Sequence, residues 1–103
     1  YKQILRYIQE HNDRKIYLED LAASLDMNPQ YFCRFFKKQF QMTPMTYINY
    51  YRTLQAAELL QHSSLSVLEV GLRTGFENPS YFAKTFRKYY NCSPAEYRKF
   101  SVF

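Results

Sequence analysis

A chain of 103 residues suits one ordinary domain or two very small ones, and a 47% hydrophobic share excludes a disordered tail. No apolar run nears the roughly 18 residues of a membrane span, two cysteines cannot staple a secreted scaffold, and two glycines exclude Gly-rich phosphate loops. The net charge of +5 points toward a polyanionic partner, and a first residue of Tyr rather than Met suggests a piece of a longer protein.

Ile4, Leu5 and Ile8 at helical spacing predict a first helix over 1–12, broken at Asn12-Asp13-Arg14. Leu18, Leu21, Ala22 and Leu25 predict a second over 18–25, with acids Glu19 and Asp20 in its first turn and a tight turn at Leu25-Asp26-Met27. A third runs from 29 to 40 and buries Phe32, Phe35 and Phe36. A long fourth runs from Pro44 to Gln61, burying Ile48, Tyr51, Ala56, Leu59 and Leu60, and ends at His62-Ser63-Ser64. Ser66 with Glu69 reads as a capping box that starts a fifth helix; this helix ends at Thr74, before Gly75. A sixth spans 79–90 with Phe82 and Phe86 inward, and Pro94 starts a seventh over 94–100. No strand pattern competes, so the expected fold is all-α with seven helices.

Four prolines organise these elements. Pro29, Pro44, Pro79 and Pro94 follow Asn28, Thr43, Asn78 and Ser93, residues whose side-chain oxygens cap helix starts. Shifting 28–47 by 50 residues superposes Asn28/Asn78, Pro29/Pro79, Tyr31/Tyr81, Phe32/Phe82, Phe36/Phe86, Lys38/Lys88, Pro44/Pro94 and Tyr47/Tyr97. Such self-similarity is an internal repeat. Each copy reads helix, short turn, helix: 18–25 then 29–40, and 66–74 then 79–90. This is the pattern of a helix-turn-helix, whose second helix enters a DNA major groove.

The outer faces of those second helices suit that task. With Phe32 and Phe36 inward, Gln30, Cys33, Arg34 and Lys37 share one face; Ser80, Ala83, Lys84 and Arg87 match them. Residues 28–40 and 78–90 hold six of the 14 basic residues and none of the nine acidic ones. A solvated charged face is the plain alternative, yet the same acid-free face occurs twice. No catalytic grouping, metal cluster or cofactor motif is present, so neither an enzyme nor a cofactor is expected. An RNA-binding or architectural module and a helical protein-interaction domain remain the other readings.

The repeat resembles the C-terminal DNA-binding domain of the AraC/XylS family of bacterial transcription regulators. The resemblance rests on Leu18-Glu19-Asp20-Leu21-Ala22, Tyr31 to Lys38, Thr43-Pro44, Tyr47-Ile48, Arg52, Ala56 and Leu59-Leu60. It is most specific at Val70-Gly71, Gly75-Phe76, Ser80-Tyr81-Phe82, Phe86-Arg87-Lys88, Ser93-Pro94 and Tyr97-Arg98. Asp26, Gln41 and Asn91 stand where that family commonly has glycine. Gly71 replaces a typical Ala, at an expected cost to its helix of under about 1 kcal/mol.

The resemblance implies two helix-turn-helix subdomains, 1–43 and 62–103, joined by a linker helix over 44–61. Its recognition helices, at about 29–40 and 79–90, would enter successive major grooves of double-stranded promoter DNA. Base-reading positions carried over are Gln30, Cys33 and Arg34, then Asn78, Ser80, Ala83 and Lys84. Phosphate contacts are expected from Lys37, Lys38, Arg87, Lys88 and Arg98. Arg52 is read either as pairing internally or as reaching a phosphate, and Tyr31 and Tyr81 chiefly as packing. Cys33 reads as a small contact residue, and Cys92 as a core or turn residue. His11 and His62 fall at helix ends, near free carbonyls. Such a regulator would work in the bacterial cytoplasm, on the nucleoid and off the membrane. It would carry a sensing or dimerising region elsewhere in the chain and, as an activator, contact RNA polymerase.

Overall fold

The computed structural model describes residues 2–11 and 16–100, all of whose regular structure is helical. The helices are α1 (Lys2–His11), α2 (Leu18–Ala23), α3 (Pro29–Phe40), α4 (Pro44–His62), α5 (Val67–Arg73), α6 (Pro79–Tyr90) and α7 (Pro94–Phe100). The break expected at Asn12-Asp13-Arg14 lies outside the described residues.

Local chemistry accounts for the helix boundaries. The Asn28 side-chain oxygen accepts from the N–H groups of Gln30 and Tyr31 at 2.8 and 3.2 Å. Asn78 does the same for Ser80 and Tyr81 at 2.8 and 3.1 Å. Thr43 and Ser66 accept from the N–H groups of Thr46 and Glu69. A complete reciprocal box forms at α7: Glu96 N–H donates to Ser93 Oγ at 3.1 Å, and Ser93 N–H donates to Glu96 Oε1 at 2.8 Å. Ser93 therefore holds the Glu96 carboxyl below the usual carboxylate range, first through its backbone N–H. Helices α3 and α6 end on Gln41 and Asn91 at φ 62° and 60°, and each N–H closes on the carbonyl four residues back at 2.8 Å. Asn tolerates this left-handed geometry, whereas Gln41 holds it at a cost of about 1–2 kcal/mol. Asp26 adopts it too, with φ 56°.

Two cores form, and α4 serves both. Ile4, Ile8, Ile16, Leu21, Ala22, Phe32, Phe36 and Ile48 make the first. Ala56, Ala57, Leu60, Val70, Phe76, Phe82 and Phe86 make the second. The molecule measures 43 × 24 × 22 Å, so the cores lie along an elongated body. Three expected core residues are only partly covered. Tyr51 and Leu59 pack at the edges of the two cores, and Phe35 lies half-buried on the flank of α3, where Phe32 and Phe36 already fill the inward stripe.

Arg52 settles its open alternative: it is 5% exposed, so it does not reach outward. Burial lowers its pKa, and the carboxylate of Glu77 opposes that shift. Its guanidinium remains charged, since so basic a group does not lose its proton in proteins.

Gly71 also departs from the expectation that Ala would serve its helix better. A Cβ there would lie 2.8 Å from Cδ2 of Phe82, a ring that is 2% exposed and packed against Phe76 at a 4.9 Å centroid distance. Ala in place of Gly gains about 1 kcal/mol of helix propensity, but overpacking a filled core costs typically about 1–3 kcal/mol. Gly71→Ala is therefore expected to lower the thermal midpoint. A raised midpoint would show that the Phe82 ring gives way freely.

Candidate nucleic-acid interface

The expected outer face of α3 is solvent-facing: Gln30, Arg34 and Lys37 are exposed and Cys33 is half-buried. On α6, Ser80, Lys84 and Arg87 are exposed and Ala83 is half-buried. Each set rides on a helix whose opposite face is locked by its phenylalanine pair, at ring distances of 5.8 Å for Phe32–Phe36 and 6.0 Å for Phe82–Phe86. The side chains therefore project from rigid rods, the condition for geometric recognition. Arg34 makes no ion pair among the described residues. Arg87 lies 3.4 Å from Glu96 on α7, an exposed pair that leaves its guanidinium only lightly held.

The 50-residue repeat extends to surface shape. Tyr31, Arg34, Phe35, Lys38 and Gln39 line a 300 Å³ cleft on the flank of α3. The same five positions of α6 (Tyr81, Lys84, Thr85, Lys88 and Tyr89) line a 390 Å³ cleft, closed on its far side by Thr46 and Asn49 of α4. Both clefts carry two cationic side chains and no acid. Lys88 also sits over the ring of its neighbour Tyr89, with Nζ 5.5 Å from the centroid.

Two expected contacts are redirected. Asn78 spends its side-chain oxygen on the N–H groups that open α6, so only its amide nitrogen is left to face outward. Arg98, expected at a phosphate, is engaged within the fold. Its Nε donates to the Leu60 carbonyl at 3.0 Å and its Nη2 to the Ser63 carbonyl at 3.4 Å. The guanidinium thus closes the C-terminus of α4, where unpaired carbonyls attract a cation.

Tyr31 and Tyr81 are 53% and 49% exposed, more open than the packing role expected of them, and the Tyr81 hydroxyl accepts from Asn49 Nδ2 at 2.8 Å. Asn49 and Thr46 were not foreseen at this surface. Their only signal is polarity beside the buried Ile48. The histidines split: His11 Nδ1 lies 2.8 Å from the Tyr7 carbonyl, while His62 turns to Glu58 at 3.7 Å. Among the described residues no group of His, Cys, Asp or Glu is arranged to hold a metal, and no helix is long and apolar enough to cross a membrane.

Comparison with known proteins places this geometry. A family model described as a helix-turn-helix domain matches residues 21–99. The uncharacterized HTH-type transcriptional regulator YdeC of Bacillus subtilis is 38% identical over 77 residues, 75% of this chain and 26% of that protein. The HTH-type transcriptional activator RhaS of Klebsiella pneumoniae is 34% identical over 74 residues, 72% of this chain and 27% of that one. The chain thus spans about a quarter of the length of these relatives. Among solved structures, the DNA-binding domain of AdpA in complex with a target DNA superposes with a TM-score of 0.90 at 34% identity, covering 95% of this chain and 88% of that one.

Proposed function

Because the chain belongs to the AraC/XylS family of bacterial helix-turn-helix transcription regulators, we propose that it binds double-stranded promoter DNA sequence-specifically through α3 and α6. The observation that carries this reading is the twice-repeated acid-free face on two rigid helices. The chain would act as two helix-turn-helix subdomains, 1–43 and 62–103, joined by the linker 44–61. At 1.5 Å per residue the 19 residues of α4 span about 28 Å, close to the 34 Å of one DNA turn. Both recognition helices can then approach successive major grooves on one side of the duplex.

Gln30, Cys33 and Arg34 would read bases in the first half-site, and Ser80, Ala83 and Lys84 in the second, with the amide nitrogen of Asn78 at the groove edge. Lys37, Lys38, Arg87 and Lys88 would hold phosphates. Arg34 and Gln30 offer more hydrogen-bonding capacity than their counterparts Lys84 and Ser80, so the first helix would supply more of the specificity. Relatives are named as transcriptional regulators, one of them an activator, so catalysis is not part of this reading. A sensing or dimerising region elsewhere in the protein, contact with RNA polymerase and action on the cytoplasmic nucleoid belong to the same proposal.

The test is a binding titration on duplexes selected from random sequence, set against random duplex, at several salt concentrations. Four phosphate contacts give a slope of log K against log salt near −3.6, from about −0.9 per contact. Equal affinity for selected and random duplex would favour an architectural role instead, and a flat salt response would favour a protein-interaction domain.

A further inference from the structure

Asn49 and Tyr50 sit on the first half of α4, among Tyr47, Ile48 and Tyr51 of the first core. Tyr81 and Tyr89 sit on the first and last turns of α6, which the second core holds. Asn49 Nδ2 donates to Tyr81 Oη at 2.8 Å, and the Tyr50 and Tyr89 rings meet edge-on with centroids 5.3 Å apart. The second recognition helix is thus fastened at both ends to the part of α4 that belongs to the first core. The first recognition helix lacks this arrangement. Tyr31 and Tyr81 are about equally exposed, but Gln39 stands where the repeat has Tyr89, and the α3 cleft is lined by α3 residues alone.

We infer that the Asn49–Tyr81 hydrogen bond and the Tyr50–Tyr89 ring pair form a latch that sets the spacing between the two recognition helices, so that half-site separation is itself read. The inference rests on the DNA-binding reading above. Apart from the latch, the two cores meet through the 19-residue α4 and at a cleft where Ile16, Met45 and Arg52 face Phe76 and Glu77, and long helices bend. One inserted base pair moves a half-site by about a tenth of a helical turn. A body with play in it absorbs that displacement; a latched one loses contacts in one of the grooves.

Two measurements test this. In the first, the duplex selected above receives one extra base pair between its half-sites, and the affinity ratio of the two duplexes is taken. The wild-type ratio is expected to be about tenfold, the scale of a lost base contact. Tyr81→Phe, which removes only the hydroxyl, and the double variant Asn49→Ala/Tyr89→Gln are each expected to reduce that ratio about threefold, the scale of one net hydrogen bond. Affinity for a lone first half-site should stay unchanged. A wild-type ratio near one, or an unchanged ratio in variants whose circular dichroism is native, overturns the latch. The second measurement needs no DNA. Nitroxide labels at Cys33 and at Ala83→Cys, equivalent repeat positions, in a Cys92→Ser background report the inter-helix distance by pulsed electron resonance. The distribution should broaden in the latch variants, and equal widths overturn the inference. If no duplex is bound specifically, the functional reading fails while this distance measurement still decides whether the latch holds.

Discussion

Phe86→Ala should open α5, α6 and α7 while leaving α2 and α3 folded. The Phe86 side chain has no solvent exposure and packs against Phe82, Tyr90 and Tyr97 at ring distances of 6.0, 4.7 and 5.4 Å. Its truncation removes that contact area and leaves a cavity, a loss of about 3–5 kcal/mol. A core serving only about half of 103 residues seldom supplies more than about 3–5 kcal/mol in total, so one ring accounts for most of what holds the second half together. Phe36, buried to 1% exposure and packed against Phe40 and Tyr47 at 4.4 and 5.7 Å, is its counterpart in the first half. Amide hydrogen exchange should show protection lost in α5–α7 for Phe86→Ala and in α2–α3 for Phe36→Ala. Uniform loss in both variants would mean that α4 welds the two cores into a single cooperative unit.

Whatever depends on neighbours in sequence was legible before any coordinates. Asn28-Pro29 and Asn78-Pro79 announce helix starts because a cap and its N–H partners lie within three residues. The Phe32/Phe36 and Phe82/Phe86 pairs announce buried faces because a four-residue spacing is nearly one helical turn. The box at Ser93 and Glu96 carries the same local pattern as Ser66 and Glu69, and was as readable. What escaped was long-range. Arg98 looks like any basic surface residue until α7 folds back onto Leu60 and Ser63, 38 and 35 positions away. Gly71 looks like a weak helix residue until the Phe82 ring arrives against it. Phe35 looks apolar enough for the core, but it lies off the Phe32, Phe36 and Phe40 stripe that faces inward. On the candidate interface, the outward faces of α3 and α6 follow from periodicity alone. The wall that Asn49 builds beside α6 follows only from the way α4 crosses it.

Arg34→Ala should erase discrimination at one base pair while barely changing affinity for random duplex. Arg34 is exposed on the second turn of a helix capped at Asn28 and pinned by Phe32 and Phe36, so its guanidinium leaves a fixed point. It has no ion-pair partner among the described residues, so binding to a base would cost it no existing contact. A bidentate fork onto guanine contributes about 1–3 kcal/mol of discrimination, or roughly 5- to 150-fold in relative affinity. Lys37→Ala is the control, because a phosphate contact has no base to recognise. It should weaken selected and random duplexes alike and make the salt slope shallower by about 0.9. Titration of both variants against the selected duplex and its single-base substitutions separates the two roles. If Arg34→Ala instead lowers affinity equally on every duplex and takes the slope with it, Arg34 grips the backbone, and the first recognition helix reads its half-site through Gln30 and Cys33 alone.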